Sequence, residues 1–221
     1  SSDLSFMPQS SIASYIGDLP PEESTAYEMG AKFDLFNGVT SNITFFDIHK
    51  RNVLYTETIG DETYAKTAGK VRSRGIEVDV AGSLTDNLNV IASYGYTDAK
   101  VIDDPDYAGK PLPNVPRHTG SLFLTYDINN VYDSNTLTLG GGGHALSRRS
   151  GTNGADYYLP GYAVADIFAA YKMKLQYPVT LQVNVKNLFD KTYYTSSIAS
   201  NNLGNQIGDP REVQFTVKMS F

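Results

Sequence analysis

The 221-residue chain contains no cysteine and no tryptophan. Without cysteine there is no disulfide framework and no thiolate metal site. No apolar run approaches the ~18 residues that a transmembrane helix requires, which excludes a helical membrane protein. Positive charge is also short. Eighteen Lys and Arg stand against 24 Asp and Glu, for a formal net charge of −6. With no basic stripe to offset it, that balance excludes nucleic acid as a partner. The three histidines, His49, His118 and His144, lie far apart and do not read as a metal or haem set. Residues Ser1 to Phe6 lack the positive and apolar regions of a signal peptide. Helical periodicity is missing throughout.

What the chain does have is alternation. Aromatics make up 12%, as 16 Tyr and 10 Phe, with 19 Gly, a composition suited to an all-β protein. At the carboxyl end Val213, Phe215, Val217, Met219 and Phe221 alternate with Gln214, Thr216, Lys218 and Ser220. Such a period gives a strand one apolar and one polar face. The same pattern recurs at Tyr27 to Leu35, Ile76 to Val80, Leu88 to Tyr96, Leu122 to Tyr126, Leu137 to Leu139, Ala163 to Tyr171 and Leu181 to Val185. Between Asn42 and Ile48 the adjacent Phe45 and Phe46 break the alternation, which predicts a bulge. About nine strands result, many longer than the roughly 5–6 residues usual in soluble sheets.

Connections alternate in length. Short turns at Asn37-Gly38, Leu84 to Asn87, Asn129 to Asn135 and Tyr177-Pro178 are separated by long polar segments. These are Thr56 to Lys70, Lys100 to Arg117, Ser147 to Pro160 and Thr192 to Pro210. A meander with one short-turn end and one long-loop end is the layout of a transmembrane antiparallel β-barrel, polar in the lumen and apolar toward lipid. A terminal strand that closes on Phe221 suits it. A soluble all-β binding module and a self-contained barrel of about eight to ten strands are the alternatives. The first expects folding in buffer; the second expects catalytic side chains gathered at the long-loop end.

Several runs carry a family resemblance. They are Pro20-Pro21-Glu22 leading to Tyr27-Glu28-Met29-Gly30, Arg72 to Glu77, Leu112 to His118, Leu159 to Tyr162, Asn187 to Tyr194, and Gly208-Asp209-Pro210-Arg211 ahead of Phe221. In order and spacing they resemble the C-terminal part of TonB-dependent outer-membrane receptors, most closely the ferric-siderophore branch. The resemblance spans almost the whole chain. It implies that residues 1–221 are about the last nine strands of a 22-stranded barrel. Residues 1–23 would then be an extracellular loop or the end of a preceding strand. Neither the family's plug domain nor its TonB box is recognisable. A partial strand set leaves two edges that a bilayer does not tolerate, so the remaining strands and plug of the same receptor become expected partners.

By the same resemblance the chain belongs to no enzyme but to an outer-membrane receptor of a Gram-negative bacterium. That receptor would bind ferric siderophore at its extracellular loops and import it by way of TonB. Iron(III) would enter only as the siderophore complex, with no covalent cofactor. Outer-membrane lipid and the barrel-assembly machinery complete the partners, the latter reading Val213, Phe215, Val217, Met219 and Phe221. Family haem receptors often carry Asn-Pro-Asn-Leu ahead of the Pro-Glu segment; Ile16 to Glu22 departs from that. Cobalamin and oligosaccharide stay open as ligands.

Candidate residues follow. Tyr55, Tyr64, Tyr107, Arg148, Arg149, Tyr157, Tyr158, Tyr193, Tyr194, Asn201 and Asn202 fall in the long loops or strand ends. Phenols, amides and guanidinium suit the polar shell of a siderophore. The bland alternative for each Tyr is the interfacial girdle. Arg72, Arg74, Glu77 and Asp79 read as lumen charges facing the plug. Asp103-Asp104-Pro105-Asp106 reads as a solvated loop ahead of a calcium site. Gly140 to Gly143 is no phosphate loop; it lets a ring or backbone approach closely, or lets the strand bend. No catalytic constellation can be placed.

Overall fold

The computed structural model describes residues 20–36, 38–59, 62–198 and 204–220, with backbone alone at 55–59 and 62–68. Every regular element among them is a strand. In chain order these are β1 (Glu23–Phe36), β2 (Val39–Ile59), β3 (Glu62–Ser83), β4 (Leu88–Asp103), β5 (His118–Asn129), β6 (Thr136–Leu146), β7 (Arg149–Ser150), β8 (Tyr158–Leu159), β9 (Tyr162–Met173), β10 (Val179–Lys186), β11 (Tyr194–Ser197), β12 (Asn205–Ile207) and β13 (Glu212–Met219). Nine of them form one antiparallel sheet, β1-β2-β3-β4-β5-β6-β9-β10-β13. The pairs β7–β8 and β11–β12 are small hairpins inside two of the long connections.

Register carries the alternation from strand to strand. Met29 lies opposite Phe45, Phe45 opposite Ile76, and Ile76 opposite Tyr96. At the far side Ala169 faces Val183 and Val183 faces Phe215. One continuous apolar face results, and its side chains are open: Phe215 is 79% exposed, Met29 74% and Val217 70%. A soluble sandwich would bury this stripe under a second sheet, and among the described residues nothing covers it. The opposite face carries Glu28, Asn42, Glu77, Asp79, Asn184 and Gln214. Val39, Val90, Ala99 and Val164 are buried within the sheet, whereas the buried Arg149, Ser150, Thr152, Asn187 and Ser197 lie at its long-loop end.

Two expectations are corrected. Thr56 to Lys70 is not a long loop: β2 runs on to Ile59 and β3 begins at Glu62, so the two strands continue as a hairpin of 21 and 22 residues. About ten residues cross a bilayer in a tilted strand, so this hairpin extends well past the apolar band. Nor is there a bulge at Phe45-Phe46, where register is regular on both sides. In the nine-stranded sheet the irregularities fall at Asp34/Phe36, between Lys50 and Leu54, and at Lys70/Val71. Phe45 and Phe46 simply occupy opposite faces, and the Phe46 ring lies on Gly75, where a Cβ would come within 2.7 Å of it.

The four glycines of β6 split in the same way. Gly140 and Gly142 face Phe168 and Phe123, whose rings stack at 5.9 Å with an interplanar angle of 3°. The ring approach expected of these glycines is therefore present. A Cβ on Gly140 would sit 2.1 Å from Phe168, whereas one on Gly141 would meet nothing closer than 3.3 Å. Gly140→Ala is expected to displace the ring and cost ~1–3 kcal/mol, and Gly141→Ala much less. Denaturant melts of the two variants in the full-length protein check the contrast.

Candidate ligand-facing loop cluster

All the long connections emerge at one end of the sheet, and three of them interlock. The segment after β4 is shaped by Asp104, whose Oδ1 accepts the amides of Asp106 and Tyr107 at 2.9 Å. Those bonds explain the acidic run as a turn; among the described residues no cluster of His, Asp or Glu is arranged to hold a metal. Further along, Asn114 takes the left-handed backbone (φ 62°) that its side chain tolerates. Its Nδ2 donates to the Ser197 carbonyl and its Oδ1 accepts the Ser197 amide, both at 2.8 Å. Its own amide donates to the Ser150 carbonyl at 2.9 Å. One asparagine thus ties the β4–β5, β6–β9 and β10–β13 connections together.

Tyr157 adds a second tie. Its hydroxyl meets the Ser197 hydroxyl and donates to Asn205 Oδ1 at 3.0 Å. Arg149 is the third. Only 2% exposed, it donates through Nη2 to the Tyr194 carbonyl at 2.6 Å and lies 5.8 Å from the Tyr162 ring centroid. Burial pushes its guanidinium down from the usual value, opposed by the Tyr162 phenol.

The last connection opens with a folded turn. Asn187, 3% exposed and left-handed at φ 47°, donates from Nδ2 to the carbonyls of Lys191 and Asp209. Its Oδ1 accepts the Lys191 amide, and its own amide donates to Asp166 at 2.7 Å. Asp190 accepts the Arg211 amide, and Arg211 reaches back to the Leu188 carbonyl. The Asn-Leu-Phe-Asp run and the downstream Pro-Arg are therefore two halves of one turn, which is why they occur together. Tyr193 packs beside Tyr162, with ring centroids 4.5 Å apart. Burial pushes its phenol up, helped by Tyr162, Asp209 and Asp166 and opposed by a backbone hydrogen bond from Asp209.

The candidate residues separate by position. Arg149 and Tyr157 are engaged inside the loop packing, and Tyr193 and Tyr194 sit partly buried beside them. Arg148 lies over the half-exposed Tyr158 ring at 5.2 Å, an open cation–π pair at the rim. Tyr107, 36% exposed, lines a cavity of about 320 Å³ with Lys70, Asp104, Asp106 and Asn153. Tyr55 and Tyr64 lie opposite Lys66 and Glu57 on the β2–β3 extension. Asn201, Asn202 and Phe221 fall outside the described residues.

The four charges do not share a face, which corrects the lumen assignment of two of them. Glu77 and Asp79 sit on the polar face, opposite Thr44 and Asn42. Arg72 and Arg74 share parity with Ile76, and they pair with Asp47 and Asp98 above the apolar band. An odd spacing between residues 74 and 77 puts them on opposite sides of a pleated strand. His118 and His144 likewise fall on opposite faces, with Tyr94 and Tyr162 as their respective neighbours, and His49 pairs with Asp47.

Residues 3–188 match the family model described as TonB dependent receptor-like, beta-barrel. An uncharacterized TonB-dependent receptor of Haemophilus influenzae is 37% identical over 98% of this chain and 66% of its own length. The metal-pseudopaline receptor CntO of Pseudomonas aeruginosa is 35% identical over 91% of this chain and 28% of its own. Among solved structures, the ferric preacinetobactin receptor BauA of Acinetobacter baumannii superposes with a TM-score of 0.78 at 26% identity. It covers 91% of this chain and 30% of that one. The siderophore receptor PiuA of the same species gives 0.73 at 28% identity, covering 89% and 28%. The chain thus spans under two thirds of each of these relatives, and less than a third of most.

Proposed function

Because the chain belongs to the TonB-dependent receptor β-barrel family, we propose that residues 1–221 are the C-terminal portion of a receptor that binds ferric siderophore and imports it through TonB. Members of this family are outer-membrane transporters of Gram-negative bacteria, not enzymes. The expectation for residues 1–23 falls, as far as residue 19, outside the described residues. The apolar face, Val213, Phe215, Val217 and Met219 included, meets outer-membrane lipid.

One observation carries the ligand reading: three long connections, tied through Asn114 and Ser197, form a single platform at one end of the sheet. Binding on a pre-tied platform loses less conformational entropy than binding on free loops. Arg148 and Tyr158 at its rim, with Tyr107 in the neighbouring cavity, offer a cation, ring faces and hydroxyls. Those groups suit the outer shell of an iron chelate whose metal is already coordinated, so no protein atom need touch iron. Tyr55, Tyr64, Tyr194, Asn201 and Asn202 remain proposed contacts of the same kind. Arg149, Tyr157 and Tyr193 act by holding the platform.

The test uses the full-length receptor in detergent. Arg148→Ala combined with Tyr158→Ala is expected to weaken ferric-siderophore binding by about ten- to a hundredfold, read by intrinsic fluorescence quenching. Unchanged binding would remove the rim from the site; no binding or uptake of any ferric siderophore by the parent would sink the receptor reading. The similarity to a metal-pseudopaline receptor favours a second ligand class, a chelate of another metal. Uptake of radiolabelled nickel or zinc chelates in place of iron would select it.

A further inference from the structure

One buried donor in the loop cluster has no acceptor. Arg149, 2% exposed, spends Nη2 on the Tyr194 carbonyl, and among the described residues its enclosed Nη1 has no hydrogen-bond partner. Nor, among the same residues, does a carboxylate pair with it. On the main strands Arg51, Lys70, Arg72, Arg74, Lys100 and Lys186 each have one. Carboxylates are not scarce, since Asp and Glu outnumber Lys and Arg by 24 to 18. The Tyr162 ring, its centroid 5.8 Å from the guanidinium carbon, attracts the charge without neutralising it. Arg148, the preceding residue, also lacks a carboxylate among the described residues and lies open over Tyr158.

A buried cation without a counter-ion is among the costliest arrangements in a folded chain, and an orphan donor of this kind needs a cause. Holding the platform accounts for Nη2 alone. Resting on the receptor reading above, we propose that Arg149 reads the charge of the ligand: it leaves the loop packing to bind an anionic oxygen, carboxylate or catecholate, of the incoming metal chelate. Its place in the fold favours this occupant. Arg149 pairs with Leu159 and Ser150 with Tyr158, so the buried cation lies one residue from the exposed Arg148–Tyr158 rim. An anionic chelate seated on that rim meets two guanidinium groups with no carboxylate of their own. Its charge stabilises the uncovered state of Arg149 over the covered one, which is the differential affinity that a ligand-driven opening requires. A neutral chelate gains nothing from uncovering it.

The full-length receptor in detergent is compared with Arg149→Gln, which keeps an N–H for the Tyr194 carbonyl and removes the charge, and with Arg149→Lys, which keeps the charge. The probes are a strongly anionic ferric tris-catecholate and a neutral ferric trihydroxamate. The parent is expected to bind the anionic probe at least about tenfold more tightly. Arg149→Gln should bring the two affinities within about threefold, while Arg149→Lys retains the preference. Hydrogen exchange without ligand is the second readout. Amides of 149–159 and 194–197 are expected to exchange at least about tenfold more slowly in Arg149→Gln, because the uncompensated charge is gone. A cation that merely props the loops would leave them exchanging faster on its loss, and that result overturns the proposal. So does a preference that survives in Arg149→Gln, or a parent that binds the two probes alike, only the neutral one, or neither. Arg149→Met repeats both measurements should Arg149→Gln fail to assemble. Uptake of both chelates without a charge preference sinks the charge reading alone. The preference without TonB-dependent uptake of any chelate sinks the receptor reading and leaves the role of Arg149 standing.

Discussion

Val217→Arg in the full-length receptor is expected to destabilise the folded barrel by ~2–4 kcal/mol if residue 217 sits near the bilayer midplane. Thr216→Arg, one residue away, is expected to cost far less. Val217 is 70% exposed and pairs with Leu181 on the apolar face, while Thr216 pairs with Gln182 on the other. The guanidinium at 217 must leave water for hydrocarbon or distort the bilayer to stay wet. At 216 it enters a face already lined by Gln182, Asn184 and Gln214. Val183→Arg and Gln182→Arg repeat the comparison on β10. Reversible unfolding in lipid vesicles gives the four values. Equal penalties on the two faces would remove the assignment of one to lipid.

Asn187→Ala should be the most damaging single change in the loop cluster, costing about 3–5 kcal/mol. The substitution deletes the side-chain bonds from the buried Asn187 to the backbone of Lys191 and Asp209, which hold the two halves of the turn together. It also forces alanine into a left-handed backbone. Asn187→Gly keeps the backbone permissive but not the bonds, so it should recover about 1 kcal/mol of the loss. Limited proteolysis across residues 187–211 and denaturant melts of the receptor separate the two contributions. If Asn187→Ala and Asn187→Gly prove equally harmful, the conformational part of the account fails.

The sheet was legible wherever its two faces meet different solvents. From Tyr27 to Leu35, and again from Leu181 to Val185, every second residue is apolar, and those strands stand as expected. Above the apolar band the contrast vanishes. Thr56 to Ile59 and Glu62 to Lys70 are polar on both sides, so a continuing hairpin reads as a loop. Phe45-Phe46 misled in the opposite way. Two adjacent rings suggested an inserted residue, yet each has its own face because Gly75 makes room for the inner one. The parity of Arg72 and Arg74 was available from counting alone, and their nearness to Glu77 obscured it.

The loop cluster was less legible. Side-chain-to-backbone bonds have no period, so nothing in the sequence separates Asn114 and Asn187, which hold the platform, from asparagines that merely face water. Their flanks offered a hint: Pro113-Asn114 and the Asn-Leu-Phe-Asp run sit where the chain must turn sharply.

The strand order has a consequence for closure. Every neighbouring pair among the nine main strands is antiparallel. The first and the last, β1 and β13, therefore point the same way, and their free edges cannot zip together in antiparallel fashion. A purely antiparallel ring must alternate direction all the way round, so only an odd number of additional strands can bridge those edges. That parity disqualifies the nine-stranded sheet as a finished antiparallel cylinder, whatever its curvature.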